Sequence, residues 1–269
     1  MTAPVAVVTG ASRGIGKQLS IDLAEQGYRI VCVARSTSQS QGRLPGDIDE
    51  TVALVRELGG EAVPVALDVR DEAAVSKLAD QVYGEFGRCD LLINNAAVAP
   101  PLPALQDSTK RWRVGVDVNL NGPFYLMYYF CPRMPEGEGK VINISSGAAV
   151  TPEFGRPNYT ATKLALEGLS QSLAHELRGK VAVNVLRLDL AVWSEGFSAT
   201  LPKDVNYPFE HPVIMSDAVL WMAEQAIDYS GRVETITGLR EKGIVRPEFL
   251  YKDQGPGTAS RSSLRGRPE

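Results

Sequence analysis

Tyr159 and Lys163 stand four residues apart, and no other tyrosine in the chain has a lysine at that interval. On a helix this spacing puts both side chains on one face, so an ammonium can sit beside a phenol. A phenol ordinarily titrates near a pH of about 10, and bringing it down by about 3 units takes about 4 kcal/mol of preferential stabilisation of the phenolate. A nearby positive charge supplies stabilisation of that kind. A phenol tuned in this way gives a proton to a carbonyl oxygen, or takes one from an alcohol. Upstream, Ser146 closes the apolar run Val141-Ile142-Asn143-Ile144-Ser145, where its hydroxyl can bond the same oxygen. The Tyr-x-x-x-Lys spacing carries little alone; its force comes from the elements that place it.

A second chemistry is written near the N-terminus, in Thr9-Gly10-Ala11-Ser12-Arg13-Gly14-Ile15-Gly16. The run lies between an apolar strand and a helical pattern. A tight turn needs positive φ, a pyrophosphate needs close approach to the backbone, and a helix N-terminus offers N–H groups and the positive end of its dipole. Gly10, Ser12, Arg13, Gly14, Ile15 and Gly16 are therefore candidate cofactor contacts, against the competing reading of a plain strand–helix turn. Sites for NAD place an Asp or Glu at the end of the second strand to bond the ribose hydroxyls. Here that strand ends Val33-Ala34-Arg35-Ser36, with no acid until Asp47. Arg13 and Arg35 would suit the 2′-phosphate of NADP, each charge-assisted bond contributing roughly 1.5–3 kcal/mol. The expectation is NADP rather than NAD, with two solvated arginines as the alternative.

Short apolar strands alternate with helical stretches along the chain. Strands are predicted at 5–8, 29–33, 62–67, 90–93, 140–144, 181–186 and 233–236. Helices are predicted at 15–26, 48–58, 72–86, 108–130, 159–177 and 216–227. Near-continuous apolar strands are those buried on both faces of a parallel sheet, and the alternation predicts a doubly wound α/β sheet. No linker divides the chain, so one domain is expected over residues 1–251. Three stretches break the rhythm: a polar insert at 36–46, a loop at about 190–215 carrying Trp193, Phe197, Tyr207 and Phe209, and a Gly-, Ser-, Pro- and Arg-rich tail at 252–269 expected to be disordered.

The 269 residues are 44% apolar and 22% charged, with a net charge of −4, so no global basic field points to nucleic acid. The first strand leaves no room before it for a secretory signal, and no apolar run reaches the 18 or so residues of a membrane span. Cys32, Cys89 and Cys131 share no metal or redox spacing and read as reduced thiols of a cytoplasmic protein. No His, Cys and carboxylate cluster predicts a metal site.

These residues together resemble the short-chain dehydrogenase/reductase family, over about residues 4 to 237. The matching segments are Thr9 to Gly16, Asp68-Val69, Asn94-Asn95-Ala96-Ala97, Val118-Asn119, Ser145-Ser146, Tyr159 with Lys163, and Val183-Asn184-Val185. The resemblance implies a single Rossmann-type domain with a seven-stranded parallel sheet flanked by helices. It implies cofactor contacts from Asp68, Val69, Asn95, Ala96, Tyr159 and Lys163 in addition to the glycine loop, with Asp68 meeting the adenine and Asn94 anchoring sheet and cofactor. It implies a reaction centre of Asn119, Ser146, Tyr159 and Lys163, Asn119 holding a water that links Lys163 to solvent. Gly42-Arg43-Leu44-Pro45-Gly46 and Asp68-Val69-Arg70-Asp71-Glu72 also look like the hydroxysteroid-dehydrogenase-like branch. The chain departs from the family pattern with Ala97 for a glycine, with Leu188-Asp189 where Pro-Gly is usual, and with no threonine after it until Thr200; Ser194 is the available substitute.

Ala97, Ala148, Phe154, Trp193 and Phe197 are the candidate substrate contacts, and their apolar character predicts a hydrophobic alcohol or ketone. For each aromatic, loop packing is an equal reading, and Arg156 reads either as a carboxylate contact or as a solvated arginine. An NADP-dependent oxidoreductase is the first hypothesis. A nucleotide-binding sensor or scaffold with little turnover is the second, and an enoyl reductase the third. Family members commonly pair through two long helices, here 108–130 and 159–177, so a homodimer or homotetramer is expected.

Overall fold

The structure, a computed structural model, describes residues 2–99, 104–106, 108–152, 154–199 and 208–251. Thr200, Tyr207 and the tail at 252–269 lie outside the described residues. In chain order come β1 (Val5–Thr9), α1 (Gly14–Glu25), β2 (Arg29–Ala34), α2 (Ile48–Glu57), β3 (Glu61–Ala66), α3 (Glu72–Phe86), β4 (Leu91–Asn94), α4 (Thr109–Val116), α5 (Gly122–Phe130) and β5 (Gly139–Ser146). There follow α6 (Pro157–Glu176), β6 (Val181–Leu188), α7 (Glu195–Ser198), α8 (Val213–Glu224), β7 (Val233–Thr235) and α9 (Ile236–Glu241). The seven strands form one parallel sheet in the order β3-β2-β1-β4-β5-β6-β7. Val7 of β1 stands in register with Val31 of β2 on one side and Leu92 of β4 on the other.

Strand chemistry explains the layers. Val5, Val7, Val31 and Leu92 face a core shared with Val75, Leu126 and Phe130 of α3 and α5. Ala6, Val8, Ile30 and Ile93 face the opposite core, with Leu19 of α1 and Val219 of α8. Both faces of the central strands are thus covered, which is why these strands read as unbroken apolar runs. The strand order reverses between β1 and β4, and in such sheets a crevice opens at the carboxyl ends beside that point. The glycine loop leaves β1 there.

Two expectations change. The single helix expected over 108–130 is divided, with residues 117–121 forming a π-helical turn in which the Gly122 N–H bonds back to the Asp117 carbonyl. Pro123 explains the break: it has no N–H to close on Asn119 four residues earlier, and its ring crowds that carbonyl. Strand β7 ends at Thr235, one residue short of the expected end, because the Thr235 hydroxyl accepts from the Gly238 N–H at 3.0 Å and starts α9. Smaller shifts follow the same logic, as at α8, which begins at Val213 directly after Pro212. All three cysteines are buried and unbridged.

Phe130, the last residue of α5, is fully buried in the core that α3 and α5 share with the sheet, and its carbonyl accepts from the Tyr83 hydroxyl at 2.8 Å. Phe130→Ala is expected to lower unfolding free energy by about 3–5 kcal/mol in urea denaturation; a loss under about 1 kcal/mol would contradict this packing.

Candidate active site

Gly10 and Gly14 adopt φ of +69° and +51°, the left-handed region that glycine enters without strain. At Gly16 the constraint is proximity: a Cβ there would meet the Gly10 carbonyl oxygen at 2.3 Å. The N-cap of α1, Arg13, makes no side-chain cap bond; the Gly14 N–H faces the Glu195 carboxyl, so an anionic ligand would meet the N–H groups that follow it. Thr9 fixes the neighbouring loop. Its hydroxyl donates to the Ile93 carbonyl at 3.2 Å and accepts from the N–H groups of Asn95 and Ala96 at 3.0 and 3.1 Å. The Asn95 amide donates to the Thr9 carbonyl at 2.8 Å. Asn94 ties the sheet by donating to Asn143 Oδ1 at 2.7 Å.

A cavity of about 760 Å³ follows these carboxyl ends, from Arg35 and Asp68 at one end to Ser146, Tyr159 and Lys163 at the other. That volume is of the size that holds a cofactor or other ligand. Its wall includes Gly10, Ser12, Arg13, Ile15, Gly16, Val69, Asn95, Ala96 and Ala97. Gly14 is absent from the wall, because Ser194 and Glu195 pack directly over it. Arg13 turns its guanidinium into the polar insert, donating to the carbonyls of Pro45, Leu44 and Gly46 at 2.8, 3.0 and 2.7 Å and to Ser36 Oγ at 3.2 Å. The insert is thereby folded over the cavity, and it adds Arg43 and Leu44 to the wall. Asp68 pairs with Arg70 at 2.6 Å, which holds its carboxyl below the usual range, and stands 3.9 Å from Arg35.

Lys163 sits behind the other end. Its side chain is 2% exposed, its ammonium donates to the Ile144 carbonyl at 2.7 Å, and it lies 5.6 Å from the centre of the Tyr159 ring. Burial pulls the ammonium down to a pKa of about 8, against a smaller opposing pull from Glu167. Glu167, one turn beyond Lys163, accepts from Ser145 Oγ at 2.7 Å and from both arms of Arg187 at 2.9 and 2.6 Å. Ser146 Oγ accepts from the Ala148 N–H at 3.2 Å, which leaves its own proton to donate. Asn119 stands outside the cavity wall. Its amide accepts from the Val98 N–H and donates to the Val98 carbonyl, both at 2.9 Å, and donates to Thr162 Oγ1 at 3.1 Å.

Of the candidate substrate contacts, Ala97 and Phe197 line the cavity; Ala148, Phe154 and Trp193 do not. Phe154 is 95% exposed, and Ala148 is buried beneath the wall. Trp193 stacks on Tyr251, centroids 4.2 Å apart at 8°, and so packs the loop. In place of the missing Pro-Gly, Leu188, Leu190, Val192 and Ser194 line the cavity, while Asp189 accepts from the Thr237 N–H at 3.1 Å. Sequence reasoning missed Glu167, although it lies four residues after Lys163 on the same helix face. It also missed Arg43, Arg111 and Glu195. The Glu195 carboxyl has one buried oxygen without a hydrogen-bond partner, and burial raises its pKa against the pull of Lys17 and Arg13.

A sequence model of the short chain dehydrogenase family matches residues 4–190. Hydroxysteroid dehydrogenase-like protein 2 of Danio rerio is 29% identical in a match covering 97% of this chain and 64% of its own length. Peroxisomal multifunctional enzyme type 2 of Drosophila melanogaster is 31% identical over 97% of this chain and 42% of its own. The chain thus spans about two thirds or less of these curated relatives. Among solved structures, a metagenomic short-chain oxidoreductase in complex with NADP is similar with a TM-score of 0.72 and 30% identity, covering 87% of this chain and 96% of the other. A dehydrogenase/reductase of Sinorhizobium meliloti 1021 shares the fold with a TM-score of 0.76 at 24% identity, covering 87% and 94%.

The buried ammonium has a measurable signature. Lys163 titrates at about 8 when folded against an ordinary 10.5, so between those values the unfolded chain holds more protons and stability rises with pH. Below pH 8 both states are charged, and the cost of burial is constant. Relative to Lys163→Met, the wild type is expected to gain about 3 kcal/mol between pH 7.5 and 10.5. Parallel urea-denaturation profiles for the two proteins would show that the ammonium is not buried.

Proposed function

The chain belongs to the short-chain dehydrogenase/reductase family, and on that footing we propose that it is an NADP-dependent oxidoreductase interconverting a secondary alcohol and a carbonyl. The observation that carries this reading is the single cavity with a glycine-loop cradle at one end and Tyr159, backed by buried Lys163, at the other. The cradle fits a dinucleotide: a Cβ at Gly10 would meet the Asn95 amide at 2.9 Å and one at Gly16 the loop's own carbonyl, and the Arg13 side chain does not cap α1. Ile15, Gly16 and Ser12 would hold the pyrophosphate, Asp68 and Val69 the adenine end, and Asn95 and Ala96 the middle. When bound, the cofactor supplies or accepts the hydride.

The chain's own residues handle the proton. Tyr159 donates it to the carbonyl oxygen in reduction and removes it from the alcohol in oxidation. Lys163 favours the phenolate by its charge, and the Ile144 carbonyl and Glu167 keep that charge in place. Ser146 donates a hydrogen bond to the substrate oxygen. Asn119 is a positioning residue through Val98 and Thr162, and its backbone carbonyl, which Pro123 cannot engage, is where a water leading to Lys163 would bind. Arg35, whose side chain is 64% exposed at the mouth, and Arg43 are the 2′-phosphate contacts; the Arg13 guanidinium serves them by holding the insert. NAD is disfavoured, since no acid of β2 faces the ribose.

Val98, Leu190, Val192 and Phe197 give the substrate end an apolar wall, which favours a hydrophobic alcohol or ketone. The altered Leu188-Asp189 segment is what favours the second reading, a nucleotide sensor of the same fold. Phe124, Tyr128 and Leu164 expose large apolar surface on α5 and α6, beside a groove formed with Met127, Leu173 and Leu177. Homodimers or homotetramers pair through these helices. Three buried thiols suit a reducing compartment, for which the cytoplasm is our assignment, and no described helix is long and apolar enough to cross a membrane.

With NADPH and a panel of apolar ketones, Tyr159→Phe is expected to cut kcat by about 10²- to 10⁴-fold with cofactor affinity retained; NADPH binding without Tyr159-dependent turnover would favour the sensor. Arg35→Asp is expected to lower the NADPH/NADH ratio of kcat/KM at least about tenfold, and an unchanged ratio would overturn the NADP assignment. Light scattering should give at least twice the chain mass, falling to one chain for Tyr128→Glu; a wild-type monomer would remove the pairing.

A further inference from the structure

The N-terminus of α1 already faces an anion, and the chain itself supplies it. Glu195 opens α7, a single turn that follows β6. Ser194 and Gly196, the residues on either side of it, line the cavity, but the Glu195 side chain reaches α1. A Cβ on Gly14 would meet Ser194 Cβ at 2.7 Å and Glu195 Oε2 at 3.3 Å, and the Gly14 N–H faces the carboxyl.

The fold builds this placement. The stretch before α7 is anchored by the Glu210 N–H on the Ala191 carbonyl at 2.8 Å and by the Trp193 N–H on the Glu210 carbonyl at 2.9 Å. Glu210 is held in turn by Arg240 at 2.9 Å, and Trp193 by its stack on Tyr251. Ser194 Oγ then accepts from the Phe197 N–H at 3.1 Å and starts the turn that aims Glu195. The cost is visible, since Glu195 Oε2 is buried with no hydrogen-bond partner. The nearest cations are engaged: Lys17 donates to Glu50 at 2.7 Å, and Arg13 donates to the carbonyls of the insert. What favours the carboxylate there is the positive end of α1, with the fields of Lys17 and Arg13.

That helix end is also where the pyrophosphate of a dinucleotide would lie, on Ser12, Ile15 and Gly16 of the cavity wall. Gly14 and Ile15 are consecutive, so adjacent peptide groups would serve two anions. Like charges at one partly buried helix end oppose each other and share one dipole. We propose that Glu195 competes with the cofactor's pyrophosphate for the N-terminal end of α1 and so sets the affinity for the dinucleotide. The proposal rests on the oxidoreductase reading for the dinucleotide itself, and goes beyond it in naming the residue that opposes binding.

Calorimetry on the wild type and Glu195→Gln tests this without turnover, with NADP+ and adenosine 2′-monophosphate as ligands. The glutamine keeps the shape of the side chain and removes its charge. The variant is expected to bind NADP+ about 5- to 30-fold tighter, the range for one charge at a partly buried helix end. Adenosine 2′-monophosphate has the adenine end without the pyrophosphate, so its affinity should be the same in both proteins, which also establishes that the variant is folded. If Glu195 served only to hold the loop in place, the sign would reverse and the variant would bind NADP+ more weakly. Equal or weaker NADP+ binding by the variant would overturn the competition and leave the oxidoreductase reading standing. An equal gain for adenosine 2′-monophosphate would overturn it too, because the pyrophosphate would not be the opposed group. NADP+ binding to neither protein would overturn the cofactor reading, and this proposal with it.

Discussion

A buried ammonium is the constraint around which the site is arranged. Taking an ion out of water costs several kcal/mol even after the protein relaxes, and the Lys163 side chain is almost wholly enclosed. The charge survives because the Ile144 carbonyl accepts from it and Glu167 lies beside it. Glu167 is buried in turn, paired with Arg187 and hydrogen-bonded by the Ser145 hydroxyl. These partners come from β5, α6 and β6, so the three elements must keep their register for the lysine to stay protonated. Tyr159 inherits its position from that arrangement.

The other end of the cavity obeys a different constraint, the need for bare backbone. Gly10 and Gly16 approach each other and Asn95 too closely for any side chain, and Thr9 welds the 94–96 loop to the glycine loop. The insert after β2 closes the remaining side through the Arg13 bonds to three carbonyls. The glycine-loop end and the Tyr159 end are thus supported independently, and the strand order of the sheet sets the distance between them. The unusual Leu188-Asp189 segment is absorbed between them: Leu188 stays on the wall, and Asp189 anchors to the start of α9.

Much of this was legible in the sequence, for identifiable reasons. Apolar runs such as Val5–Val8 and Val181–Leu186 declare strands covered on both faces, and glycines between a strand and a helix declare a turn of bare backbone. The i, i+4 pair Tyr159 and Lys163 fixes one face of one helix. What was not legible depends on tertiary partners. The 108–130 pattern looks continuous because Pro123 lies amid apolar residues, and the π-helical turn follows only from which carbonyl that proline cannot serve. Arg13 reads as a phosphate ligand, and only the folded insert shows three carbonyls accepting hydrogen bonds from its guanidinium. Trp193 and Phe154 read as pocket aromatics, yet one stacks on Tyr251 and the other faces solvent.

The most direct test of the account is a crystal structure of the protein with NADP+. The account predicts one dinucleotide along the cavity, its pyrophosphate on the glycine loop and its nicotinamide ring beside the Tyr159 hydroxyl, with the Lys163 ammonium between that hydroxyl and the sheet. A nicotinamide ring bound away from Tyr159, or a Lys163 ammonium turned out to solvent, would contradict it.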